Sequence, residues 1–164
     1  MGAWIMTLLA KEDRQDRIGG LLGIASAPDF TCLMEESIQN NAALSSQMNR
    51  KAYCHVPTEY DNVTGYYRIY KEFLEEAKTH MILQSFSESP CSLSSAIEFD
   101  FDYPVRLLHG KKDVDIPYDY SEAFFSKIKS PDKELIFLND GDHRLSKPDE
   151  IEIILKSLKD IIQI

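Results

Sequence analysis

Three short apolar runs punctuate the chain, each bounded by turn-forming residues. Ile18-Gly19-Gly20-Leu21-Leu22-Gly23-Ile24-Ala25 runs into Ser26-Ala27-Pro28-Asp29; Val105 to Leu108 is entered through Pro104 and closed by Gly110; Glu134 to Leu138 ends in Asn139-Asp140-Gly141-Asp142. Continuous apolar runs of this length suit strands buried on both faces of a parallel sheet, whereas a half-exposed strand alternates. They predict about three parallel strands near residues 20–26, 104–109 and 134–138. Right-handed crossovers would set them side by side in that order.

Helical spacing fills the intervals. Met1 to Ala10 is helix-forming. Thr31 to about Met48 carries Leu33, Met34, Ile38, Ala42 and Leu44 at loosely helical spacing, with Asp29 ahead of it as a candidate cap. Tyr66 to about Leu83 is a second predicted helix, with Tyr67, Tyr70, Phe73, Leu74, Ala77 and Met81 mostly on one face. Tyr53 to Thr64, between them, reads as an irregular or hairpin-like excursion, and Ser85 to Ser95 as a surface loop. Lys147-Pro148-Asp149-Glu150 opens a last helix, in which Ile151, Ile153, Ile154, Leu158, Ile161 and Ile162 form a broad face for packing on the sheet. Strands alternating with helices make the class α/β, with a helical insert over residues 31–83. The aromatics and methionines of that insert more often fill a core than contact a ligand.

Composition narrows the partners. The 164 residues hold 18 Lys plus Arg against 27 Asp plus Glu, a formal net charge of -9, which repels nucleic acid and anionic membrane alike. No apolar run reaches membrane-span length and no signal-peptide charge pattern precedes the first helix, so the chain reads as soluble and cytoplasmic. Cys32, Cys54 and Cys91 are widely spaced, odd in number and lack a C-x-x-C pair, which suits a reducing compartment and no structural zinc. Cys54 neighbours His55, but neighbours in sequence rarely face each other as a nucleophile and its base must.

The residues that could do chemistry stand just past two predicted strands. Asp113 follows Val105 to Leu108, and His143 follows Glu134 to Leu138, so both fall at the carboxyl edge of the sheet, where ligands of open α/β folds gather. An Asp and a His meeting there could be the acid and base of a nucleophilic triad, the carboxylate holding the imidazole tautomer and stabilising the imidazolium. Taken singly, each is an ordinary turn residue. His109 reads as a hydrogen-bonded structural residue, Asp115 as a turn residue before Ile116-Pro117, and Asp119 as an acid suited to the start of the next helix.

Three phrases carry a resemblance: Gly20 to Phe30 (GLLGIASAPDF), Pro104 to Pro117 (PVRLLHGKKDVDIP) and Asp140 to Asp149 (DGDHRLSKPD). With weaker similarity between them, the chain resembles the carboxyl-terminal part of an α/β-hydrolase over nearly its whole length. The likeness is to bacterial serine esterases related to the mitochondrial acyl-glucuronide esterase and palmitoyl-protein thioesterase. The resemblance implies a single truncated α/β-hydrolase domain over residues 1–164, with 31–83 as a cap-like insert. It marks Asp113, fourth after His109 in the H-G-x-x-D phrase, as the triad acid and His143 as the base. Met1-Gly2-Ala3-Trp4 fits the second half of a G-x-S-x-G elbow, which puts the nucleophilic Ser just before Met1 and the Met1 backbone N–H at an oxyanion position.

On this resemblance the chain is the distal piece of a serine ester or thioester hydrolase, inactive alone. The alternatives are a subunit of a split hydrolase completed by an amino-terminal fragment, and a non-catalytic binding module built on the half-fold. The implied substrate is a small acyl ester or thioester, and no metal or organic cofactor is required.

Overall fold

The computed structural model describes residues 1–13, 17–58, 61–83 and 98–162. In chain order the elements are α1 (Gly2–Glu12), β1 (Leu21–Ile24), α2 (Thr31–Asn40), α3 (Ala42–Lys51), β2 (Tyr53–Pro57), β3 (Tyr66–Tyr70), α4 (Lys71–Lys78), β4 (Phe99–Asp100), β5 (Val105–Gly110), α5 (Asp119–Lys127), β6 (Ile128–Lys129), β7 (Lys133–Leu138) and α6 (Pro148–Ile162). They fall into two compact units, Met1–Pro28 with Ser95–Ile164, and Asp29–Ser94. The predicted surface loop Ser85 to Ser95 lies outside the described residues.

The first unit is organised by a parallel sheet of order β1-β5-β7, as the apolar runs predicted. Leu21 pairs with Val105, and Val105 with Lys133, so the three strands run in step toward one carboxyl edge. Every residue of central β5 is buried. Its two polar members are held by specific partners: Arg106 Nη2 lies 2.8 Å from Asp132, and both ring nitrogens of His109 are hydrogen-bonded. Leu108, Leu138 and Leu145 form a buried cluster with Leu22, Ile136 and Ile154 packed against it. Each such leucine contributes on the order of 1.5–3 kcal/mol by leaving water.

The last helix starts as its composition predicts, with Pro148 in the first turn and the buried Glu150 carboxylate accepting the Lys147 N–H at 2.9 Å. Its apolar residues do not all pack inward, however. The buried side runs through Glu150 and Ser157, with Ile154 and Ile161 half-buried, while Ile151, Ile153, Leu155, Leu158 and Ile162 are 37 to 50 % exposed. The broad packing face expected here is therefore split into a narrow inner stripe and an exposed apolar one.

The second unit departs further from expectation. The single helix predicted over Thr31 to Met48 is two helices, because the Asn41 side chain accepts N–H bonds from Ala43 and Leu44 at 3.1 and 3.2 Å and starts α3 afresh. Asp29 does not cap α2; its buried carboxylate accepts the Ile82 N–H at 2.9 Å and the Leu83 N–H at 2.6 Å. The helix predicted from Tyr66 to Leu83 is a strand followed by a helix. Tyr66–Tyr70 pairs antiparallel with Tyr53–Pro57, and only Lys71–Lys78 is helical. A run of aromatics with an isoleucine has the side-chain character of a strand, and here the cross-strand partners decided between the two periods. Ile38, Leu44, Met48, Cys54, Ile69 and Leu74 make this unit's core.

Cys32 is disulfide-bonded, whereas Cys54 is a buried free thiol.

Candidate active site

Asp113 and His143 come together because the loops that follow β5 and β7 are bonded to each other. The Lys111 N–H reaches the Leu138 carbonyl and the Lys112 N–H the Gly141 carbonyl, both at 2.9 Å. Such an approach excludes side chains at the crossing point. A Cβ on Gly110 would lie inside the Gly141 carbonyl group, and one on Gly141 would lie 3.0 Å from the Gly110 Cα. Beyond Gly141, the Asp142 side chain accepts the N–H groups of Arg144 and Leu145 at 2.9 and 3.2 Å, and Leu145, 1 % exposed, anchors the turn in the core. The base-bearing turn is thus pinned on both sides of His143.

The contact itself is a hydrogen bond of 2.8 Å from His143 Nδ1 to Asp113 Oδ2. The Asp113 side chain is 0 % exposed and that of His143 is 35 % exposed. Asp113 Oδ1 accepts backbone N–H groups from Asp115 and Ile116 at 3.0 and 2.9 Å. With Nδ1 committed to the carboxylate, Nε2 is the ring nitrogen that would exchange a proton with a reactant in such a pair.

The charges follow from these contacts. Burial works against ionisation of Asp113, but bonds from His109, His143 and Ile116 outweigh it, and the carboxyl sits well below the ordinary carboxylate range. His143 is raised above the usual 6.5, first by its bond to Asp113; burial and the amino terminus of the chain act in the opposite sense. The second of these places Met1 close enough for its charge to be felt at His143. Met1 caps α1, its carbonyl accepting the N–H groups of Trp4 and Ile5 at 3.0 and 3.2 Å. Burial lowers the pKa of its amino group. The three residues singled out in the sequence therefore share one neighbourhood.

Other candidates separate from it. Asp115 belongs to the loop after β5 and is exposed. Among the described residues, Asp113, Asp115 and His143 have ligand atoms within 4.8 Å of one another, the spacing a metal ion needs. The Asp113 oxygens and His143 Nδ1 are already committed to the bonds above. Cys54 points into the second unit's core with its thiol pKa raised by burial, while His55 stacks on Tyr66 at 4.0 Å on the other side of the strand. They cannot act as nucleophile and base.

One contact was not foreseen. His109 Nε2 lies 3.0 Å from Asp113 Oδ2, the same oxygen that His143 uses. The i,i+4 spacing of His109 and Asp113 was visible in the sequence, but the tight turn at Gly110 that folds one back onto the other was not.

No protein-family profile matches the chain. Among curated proteins it is 31% identical over 162 residues to the mitochondrial palmitoyl-protein thioesterase ABHD10 of Mus musculus, covering 99% of this chain and 49% of that protein. The Homo sapiens protein of the same name is 28% identical over the same length, with 48% covered. Among solved structures, mouse alpha/beta hydrolase domain-containing protein 10 aligns with a TM-score of 0.75 at 28% identity, over 98% of this chain and 58% of that one. A putative hydrolase from Agrobacterium vitis S4 aligns with a TM-score of 0.81 at 25% identity, over 99% and 58%. The chain has part of an α/β-hydrolase fold. It spans about half the length of the curated relatives it matches. Among the described residues, no helix is long and apolar enough to cross a membrane.

Proposed function

We propose that this chain supplies the acid and general base of a serine-dependent acyl ester or thioester hydrolase, with the nucleophilic serine coming from a segment outside it. The observation that carries the reading is the 2.8 Å bond from His143 Nδ1 to a fully buried Asp113 carboxylate at the carboxyl ends of neighbouring parallel strands. The fold and the relatives named palmitoyl-protein thioesterase support the reaction class and favour an apolar acyl group in the substrate.

In this reading His143 Nε2 takes the proton of a serine hydroxyl as its oxygen attacks the acyl carbonyl, and returns it to the departing alcohol or thiol as the C–O or C–S bond breaks. The acyl-enzyme is then hydrolysed by a water that His143 deprotonates in turn. Asp113 stays ionised throughout and stabilises the transient imidazolium. With a residue joined ahead of it, Met1 has a backbone amide N–H, which is what the oxyanion role asks of that position. Neither step requires a metal or cofactor.

The exposed apolar surface of the chain fits a further segment packed over it. Met1, Ile5 and Leu9 follow one another along α1 at 60, 50 and 61 % exposure, α6 presents its own exposed apolar stripe, and β1 is an edge of the sheet. These are surfaces another part of a hydrolase domain would bury.

The test is to produce the chain joined to, or together with, the preceding half of a relative's domain and treat it with a fluorophosphonate probe, which labels only an activated serine. Labelling that disappears in His143→Ala and in Asp113→Asn is the expected result. Labelling that survives either substitution would show that the acid and base are misassigned.

A further inference from the structure

We propose that His109 is a positioning residue for the acid–base pair: its Nε2–H shares the Asp113 oxygen that His143 uses, and so limits how tightly the carboxylate holds the His143 proton. The inference rests on Asp113 and His143 being acid and base, and adds a second imidazole to them.

Proton bookkeeping gives the direction of the bond. His109 is 0 % exposed. Its Nε2 lies 3.0 Å from Asp113 Oδ2 and 3.1 Å from the Ile116 carbonyl, two groups that only accept. Nε2 must therefore carry a hydrogen whatever the charge of the ring. On the other side, Nδ1 lies 2.6 Å from Ser121 Oγ, which is itself 3.2 Å from the Ser26 carbonyl. Should the Ser121 hydroxyl donate to Ser26, Nδ1 is protonated and the ring is an imidazolium; should it donate to Nδ1, the ring is neutral. In both states Nε2–H stays on Asp113. Turning the ring over would set carbon atoms against Ser121 and the carboxylate.

The consequence falls on His143. Asp113 Oδ1 has two backbone donors and Oδ2 has two imidazole donors, which uses the carboxylate's acceptor capacity in full. Such a carboxylate is fixed in orientation. It also stabilises an imidazolium less than one whose oxygen serves a single donor, because each further donor draws on the same charge. A general base works best when its proton affinity lies near the operating pH, and a base paired with a dry, undivided carboxylate would hold its proton too firmly. Among the described residues, the charged groups that act on His143 include Asp113 and Asp115 from the loop after β5 and the amino terminus at the start of α1. His109 is faced by Asp113, by Ser121 of α5 and, through it, by the carbonyl after β1.

The experiment is nitrogen-detected NMR of the imidazoles in the full chain, titrated with pH. In the unaltered protein His109 is expected to show a protonated Nε2 across the range, and a bare Nε2 would overturn the proposal without any variant. In His109→Leu the His143 titration midpoint should shift upward. In His109→Gln, whose side-chain amide can donate to the same oxygen, the midpoint should stay with the unaltered protein. A folded Leu variant with an unchanged or lowered midpoint would also overturn it, since a merely structural His109 would cost stability in both variants and leave the His143 midpoint alone. Asp113→Asn separates the two readings: it should lower the His143 midpoint, and if it does not, the acid–base pair itself is at fault and not the role of His109.

Discussion

At Asp113, burial and hydrogen bonding act on one carboxyl group in opposite directions, and the bonds prevail. That balance has a pH signature. His143 is raised in the folded chain, so its share of the stabilisation is complete below the unfolded value of 6.5 and fades as pH rises through the higher folded value. Asp113 is lowered, so its share is present above the unfolded value of 3.8 and fades as pH falls through the folded one. Urea unfolding of the chain and of His143→Ala, compared from acid to alkaline pH, should therefore differ most between 3.8 and 6.5 and converge above. A difference that widens with alkalinity would contradict the pairing. The glycine crossing makes a second residue-scale prediction. Gly110→Ala forces a methyl against the Gly141 backbone, which should cost about 1–3 kcal/mol and displace the turn that holds His143, a loss readable by calorimetry and by the His143 imidazole resonances.

Among the elements, the parallel strands were legible because each is a short, mostly apolar run between turn residues, at Val105 to Leu108 and Leu135 to Leu138, although only β5 is buried along its whole length and β7 exposes Glu134. Asp113 and His143 were legible with them, since their offsets from those strands set their edge of the sheet. The second unit was not. Tyr67, Tyr70, Phe73 and Leu74 satisfy a helical face on paper, and the choice of strand for Tyr66–Tyr70 came from a partner, Tyr53–Pro57, that pattern within the segment cannot contain. The break between α2 and α3 turned on one Asn whose side chain competes for backbone N–H groups. Removing it tests that account: Asn41→Ala should cost about 1 kcal/mol by urea denaturation. Asp29→Ala leaves the buried N–H groups of Ile82 and Leu83 without their carboxylate. It should cost about 3 kcal/mol, and a cost no larger than that of Asn41→Ala would show that the bonds to Asp29 are not what holds that end of the unit.

For the whole molecule, the informative feature is apolar surface that the chain's own helices leave exposed. Ile151, Leu155, Leu158 and Ile162 recur at helical spacing along α6, each between 39 and 50 % exposed, in a chain whose net charge of -9 otherwise favours dispersal. Light scattering of the isolated chain should show concentration-dependent association that Leu155→Lys with Leu158→Lys reduces; a monodisperse monomer insensitive to those changes would contradict the reading of α6 as an unfilled interface. The same surfaces connect stability to chemistry, because the segment proposed to cover them is the one proposed to bring the serine. The account therefore stands or falls on turnover by the completed domain. With that segment supplied, hydrolysis of a long-chain acyl thioester should proceed at a measurable kcat and fall by roughly a thousandfold or more in Asp113→Asn and in His143→Ala. A folded, completed domain whose rate is indifferent to both substitutions would contradict it.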